Sequence, residues 1–229
     1  MNTPTGSDPQ SRLGALKAAV IIPAHNYPKR LDILLDALSR QTAGCRWRTV
    51  VVDDGSTADL QGVAAGYPSV LYLRQKQAGP SAARNRGAAA VNAEILVFID
   101  QDCIPEKRWL SEMLKPFDDA KVLGTKGVFT TRQQSIVARF VQAEYEEKYH
   151  KLERKAGINF VDGYSAAFRA REFWACGGFD SGFPLPSVED REMSMRLGKG
   201  RPCYRFCRRA RVEHLHVRRR SFVLPLCLI

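Results

Sequence analysis

Residues 95–103 read ILVFIDQDC: five apolar residues run into two aspartates, Asp100 and Asp102, with one glutamine between them. Two carboxylates so close repel each other, and the pattern asks for something positive between them. In an extended segment, positions i and i+2 project to the same face. At a strand end near solvent that geometry suits Mg2+ or Mn2+, which take one or two carboxylates and complete their shell with substrate phosphates. The same residues also fit a solvated turn whose aspartate caps a helix beginning at Pro105, so the pair by itself leaves both readings open.

Other residues with chemistry to offer stand at comparable places. TVVV runs into DDGST, with Asp53 and Asp54. VEDREMSMRL opens a predicted helix with Glu189 and Asp190, a pair that can take a proton from a hydroxyl or simply favour the positive end of the helix dipole. In GPSAARNRG, Ser81 is placed to cap a helix whose first turn carries Arg84, while Arg86 is expected to face solvent. VEHLH alternates His214 and His216, so in a strand both point one way.

The elements that must position these groups are legible from periodicity. Lys17–Ile22, Thr49–Val52, Val70–Leu73 and Glu94–Ile99 are short apolar runs of buried strands. Leu31, Leu34, Leu35 and Leu38 fall at i, i+3, i+4 and i+7, a helix stripe. Ala82–Val91 is a second helix and Gln133–Lys155 a long charged one. Strand–helix alternation with continuous apolar strands predicts an α/β fold, a mostly parallel sheet flanked by helices in a single domain. Ligands of such sheets bind beyond the carboxyl ends of the strands, where PAHN, DDGS and DQDC all fall.

The totals set bounds. The chain has 229 residues, 45% hydrophobic and 26% charged, with a net charge of +11 that suits an anionic partner. From Lys199 to Arg220 there are nine Lys/Arg against one acid, Glu213. Six scattered cysteines with no C-x-x-C pair argue for reduced thiols and, with no apolar leader or run of ~20 apolar residues, for a cytoplasmic protein. Residues 1–16 are expected to form a disordered lead, 17–216 the catalytic domain (17–130 nucleotide side, 131–216 acceptor side), and 217–229 a basic, apolar tail. That tail either meets an anionic membrane surface or contributes arginines to a diphosphate site and to solvent.

VIIPAHN, VVDDGS, GPSAARNRG, FIDQD, GGFD, EDREMSMRL and VEHLH occur together in this order. From Val20 to about His216 the chain resembles the glycosyltransferase family 2 catalytic domain, of the GT-A (Rossmann-like) fold. The resemblance implies a metal-dependent, inverting transfer of a sugar from a nucleotide-sugar donor, a UDP-sugar by preference, to a hydroxyl acceptor in polysaccharide, glycolipid or cell-envelope synthesis. It implies that Pro23, Ala24, His25 and Asn26 line the nucleoside pocket, with Asp54, alone or with Asp53, accepting a hydrogen bond from the base. Arg84 is then beside the diphosphate, Asp100 at the ribose or the metal, and Asp102 the principal ligand of Mn2+ or Mg2+. His214 completes the metal set, and Asp190 of the Glu189–Asp190 pair is the base. Gly163, Tyr164, Gly177 and Gly178 shape the sugar and acceptor pocket, and Trp174 is either a stacking face or core. Two competing readings are a nucleotidyltransferase, which lacks its glycine-rich loop here, and a non-catalytic binder of nucleic acid or acidic membrane; no specific nucleic-acid partner is expected.

Overall fold

The computed structural model describes residues 16–132, 136–183 and 188–215. Its centre is β1 (Leu16–Ala24), in which Ala18 through Ile22 are completely buried, as only an inner strand covered on both faces allows. β1 lies parallel to β2 (Trp47–Asp54) and to β4 (Ala93–Ile99), and β2 carries β3 (Val70–Gln75) on its outer side. Beyond β4 the direction reverses. β7 (Ser165–Arg169) enters antiparallel between β4 and β6 (Gly124–Thr130), β8 (Tyr204–His214) runs parallel to β6, and β5 (Cys103–Pro105) closes the eight-stranded order 3-2-1-4-7-6-8-5.

Alternate side chains of the strands feed two cores. On one face Ala18, Val20 and Ile22 meet the leucine stripe of α1 (Pro28–Ser39) and Trp109, Leu110 and Met113 of α4 (Trp109–Leu114), with α2 (Leu60–Ala65) alongside. On the other, Ile21, Val52 and Phe98 meet Ala83 and Ala88 of α3 (Pro80–Ala89), Phe173 of α6 (Ala170–Ala175) and Met193 and Leu197 of α7 (Glu189–Gly198). Tyr149 and Leu152 bring in the long α5 (Ile136–Glu153). α3 lies so close to the sheet that a Cβ on Gly87 would stand 2.6 Å from Ile21 Cγ2. Only glycine permits that approach.

Two local expectations are corrected. Pro105 opens no helix: it ends β5, and α4 begins at Trp109. The long β8 offers an edge to Cys103–Pro105, and an edge strand tolerates a proline without a ladder N–H. Ser81 is not a cap either. Gly79, at φ 89°, precedes the first helical residue Pro80, and Ser81 is buried one position further in. Among the described residues no helix is long and apolar enough to cross a membrane.

Candidate active site

The loops after β1, β2 and β4 are tied to one another. His25 donates its backbone N–H to Gln101 Oε1 at 3.0 Å, and its Nδ1 lies 2.9 Å from the Asp54 carbonyl. Asn26 Nδ2 lies 2.9 Å from His25 Nε2, so a tautomer protonated on Nδ1 satisfies both ring contacts. Asn26 and Tyr27 adopt left-handed backbone, at φ 53° and 67°. Asn26 holds that turn: its N–H donates to Ser56 Oγ, and its Oδ1 accepts from the backbone of Thr57 and Ala58. Pro23 and Ala24 are the last residues of β1, with Ala24 opposite Asp53.

Asp53 and Asp54 have different surroundings. Asp53 is completely buried and accepts from Ser56 N–H, the Tyr72 hydroxyl (2.6 Å) and Arg74 Nη1 (2.9 Å). Burial opposes its charge, but these donors outweigh it and hold the carboxyl below its ordinary value. Asp54 Oδ1 accepts from Gln75 Nε2 and Ala78 N–H, and Oδ2 from Gly79 N–H, which seats the entry to α3. A carboxylate has about four acceptor positions, so Oδ2 of Asp54 keeps room for one more donor.

The aspartates that open the sequence pattern do not stand on one face of a strand. β4 ends at Ile99, and 100–102 is a turn closed by Cys103 N–H on the Asp100 carbonyl at 3.0 Å. Asp100 Oδ1 faces Arg84 Nη2 at 2.8 Å, whereas Asp102 lies between Arg30 Nη1 at 3.5 Å and His214 Nε2 at 3.4 Å. Repulsion between the carboxylates is thus offset by two arginines. Burial pushes the Asp102 carboxyl up, and so does Asp100, while His214 and Arg30 pull it down. Cys103, Asp102 and His214 converge within 4.8 Å. Burial first, then Asp100 and Asp102, push the Cys103 thiol up and disfavour its thiolate, so the carboxylate oxygen and the imidazole nitrogen are the readier donors. That set, led by oxygen, fits Mn2+ or Mg2+. Pairing of Cys103 with His214 across β5 and β8, and Leu215 N–H on the Asp102 carbonyl at 2.8 Å, bring the histidine in. His216 lies outside the described residues. Arg30 carries no sequence signal beyond its place in the first turn of a helix that follows β1.

Arg84 is at the centre of the site rather than at its rim. Its side chain is 5% exposed, with Nη2 on Asp100 and Nη1 on Glu189 Oε1 at 3.1 Å, and its guanidinium lies over the Phe179 ring. Burial disfavours the charge, but the two carboxylates more than compensate and raise its pKa. Beside Glu189, Asp190 Oδ2 accepts from Gly163 N–H at 2.7 Å and Oδ1 from Arg191 N–H. Burial raises the Asp190 carboxyl above its ordinary value; the Gly163 hydrogen bond opposes this and the Glu189 charge adds to it. Gly163 is hemmed in, since a Cβ there would be 3.3 Å from Arg84 Nη2. Tyr164 shares a hydroxyl contact with Tyr149 at 3.0 Å.

The remaining pocket residues are placed less centrally. Gly177 and Gly178 form a left-handed turn after α6, held by Arg196 on the Gly178 carbonyl; Asn85 clasps Phe179 next to it. Trp174 is 42% exposed and packs edge-on against Phe173. Arg86 is exposed, as expected.

Comparison with known proteins identifies the family and the fold. The model of "Glycosyl transferase family 2" matches residues 19–177. The pre-mycofactocin glycosyltransferase of Mycobacterium tuberculosis is 28% identical over 211 residues, 86% of this chain and 42% of that protein. The Escherichia coli chondroitin synthase is 24% identical over 78% of this chain and 32% of its own length. The chain thus spans less than half of these curated relatives. Among solved structures, a mannosyltransferase of Pyrobaculum calidifontis in complex with GDP-Man and Mn2+ superposes with TM-score 0.73 at 20% identity, covering 95% of this chain and 62% of that one. GalNAc-T7 with UDP, GalNAc and Mn2+ gives 0.68 at 15% identity, over 89% and 44%. The superpositions show a shared fold, which is GT-A, and with the family model covering well over half of its length the chain belongs to glycosyl transferase family 2.

Proposed function

We propose that this chain transfers a sugar from a nucleoside-diphosphate donor to an acceptor hydroxyl with inversion at the anomeric carbon. The observation that carries the reading is Arg84, which joins Asp100, beside Asp102 and His214, to Glu189, beside Asp190. A diphosphate pole and a proton-accepting pole are thereby held on one rigid bridge.

In this reading the nucleoside lies against Pro23–Asn26, and the base donates to the remaining acceptor position of Asp54 Oδ2. Asp53 braces that loop from below through Ser56 and Arg74. Mn2+ or Mg2+ would be held by Asp102 and His214, with Asp100 alongside, and when bound supplies positive charge to the departing diphosphate. Asp190 takes the proton of the acceptor hydroxyl as its oxygen bonds to the anomeric carbon, while the bond to the donor phosphate breaks and its electron pair leaves with the diphosphate. One base, with the neighbouring Glu189 carboxylate held by Arg84 rather than free to attack the sugar, gives inversion. Gly163 N–H keeps the Asp190 carboxylate aimed.

A thermal-shift screen of UDP-, GDP- and dTDP-sugars with and without Mn2+ tests the reading, because a ligand of the native state raises its melting temperature. A Mn2+-dependent rise with one donor class is expected. No rise with any of them would sink it.

The basic stretch carries a finer proposal, a cytoplasmic enzyme peripheral to an anionic membrane and acting on a lipid-linked or envelope acceptor. Support comes from its charge, although Arg205 and Arg208 are already paired with Asp119, Glu146 and Glu153. Residues 216–229 lie outside the described part. Co-sedimentation with anionic vesicles, lost at high salt and on removal of 218–229, is the expected result; no sedimentation at low salt contradicts it.

A further inference from the structure

Lys126 is the one fully buried lysine among the described residues, and no step of the proposed reaction uses it. It lies within β6, opposite Ala166 of β7 and Phe206 of β8, directly under the turn that leads into β7. Its ammonium is ion-paired with Asp162 and faces the rings of Phe160 and Tyr164, 5.4 and 5.7 Å from their centroids. Asp162 accepts Ser165 N–H on its carbonyl, and the next residue, Gly163, gives its N–H to Asp190. β6 and the start of β7, just after the turn, are pressed tightly together: a Cβ on Gly127 would be 2.1 Å from Ser165 Oγ.

An ammonium in such a place is costly, and an apolar side chain of similar length would fill the space without that cost. We propose that Lys126 is a positioning residue for the reaction: through Asp162 it pins the turn whose Gly163 N–H aims the Asp190 carboxylate. The inference rests on the reading of Asp190 as the base. Glu189 and Asp190 then lie between two buried basic side chains, Arg84 of α3 and Lys126 of β6, with Arg191 following on their own helix. Around Lys126 itself stand Asp162, Lys148 of α5, and Asp190 and Arg191 of α7. Burial lowers its pKa well below the ordinary value; Lys148 and Arg191 add to this and Asp190 opposes it. Loss of the Gly163 hydrogen bond would remove part of what opposes the rise of the Asp190 carboxyl.

Lys126→Met and Lys126→Arg test this, with folding checked by circular dichroism. The donor that gives the largest thermal shift is used, and turnover is read as release of nucleoside diphosphate. For Lys126→Met we expect nucleotide affinity within about twofold of wild type and kcat reduced by roughly 10–100-fold, as for a misaimed group. The acid limb of kcat moves to higher pH, and Lys126→Arg restores part of the rate. Carboxyl-13C NMR of Asp190 reads the same upward shift without turnover. A folded Lys126→Met with wild-type kcat and an unmoved Asp190 titration overturns the proposal. Should Lys126→Met not fold, Asp162→Asn decides: lost kcat with retained nucleotide affinity supports the proposal, and wild-type kcat overturns it. An active Asp190→Asn would remove the base and this inference together; an inactive Asp190→Asn beside an unaffected Lys126→Met removes this inference alone.

Discussion

His214 Nε2 lies 3.4 Å from Asp102 Oδ1, brought there by the pairing of β5 with β8, which sets Cys103 opposite His214. Both side chains are needed if this corner holds the cation that accompanies the nucleotide. Asp102→Asn and His214→Ala should each abolish the Mn2+-dependent part of UDP or GDP binding, measured by titration calorimetry, while the fold survives. Cys103→Ala should keep that binding, because burial disfavours the thiolate there. Retained metal-dependent binding in Asp102→Asn would place the cation elsewhere.

Arg84→Met leaves Asp100 and the buried Glu189 without their shared cation. Breaking a buried pair from one side typically costs about 3–5 kcal/mol, and that loss is expected in urea denaturation. Arg84→Lys should recover part of it, since a single ammonium cannot replicate two separate guanidinium contacts. A loss under about 1 kcal/mol, the worth of an exposed pair, would mean that the bridge is solvated.

The Asp190 carboxyl is raised by burial, and by the charge of Glu189. A base works deprotonated, so activity is lost as pH falls through the raised value, at higher pH than an exposed aspartate would give. Glu189→Gln removes a neighbouring negative charge and should move that acid limb to lower pH while preserving much of the rate. A kcat profile with no acid limb above the ordinary aspartate range, or a limb moved upward by Glu189→Gln, contradicts the assignment.

How far the sequence reaches depends on whether a feature has a local period. The apolar runs of β1, β2 and β4 and the leucines of α1 are local patterns, and each forms the element expected of it. Convergence of the three loops follows from the parallel strands, and His25, Asp54 and Gln101 meet accordingly. β5 has three residues, one of them a proline, too short for a pattern, and exists because β8 runs past it. Arg84 shows its place on a helix but not that Asp100 and Glu189 would enclose it, since those contacts come from distant chain. Lys126 lies in the unremarkable stretch GTKGVFT; only the folded chain brings it to Asp162.

Sugar transfer itself is measured most directly by incubating the wild type and Asp190→Asn with Mn2+ and the donor that gives the largest thermal shift. Release of nucleoside diphosphate is the readout, and binding of the donor is measured in parallel. The predicted result is release by the wild type and a loss of roughly two to four orders of magnitude in Asp190→Asn, with donor affinity retained, the usual share of a positioned proton acceptor. Equal release by both proteins, or none by a wild type that binds the donor in the presence of excess hydroxyl acceptors, would contradict it.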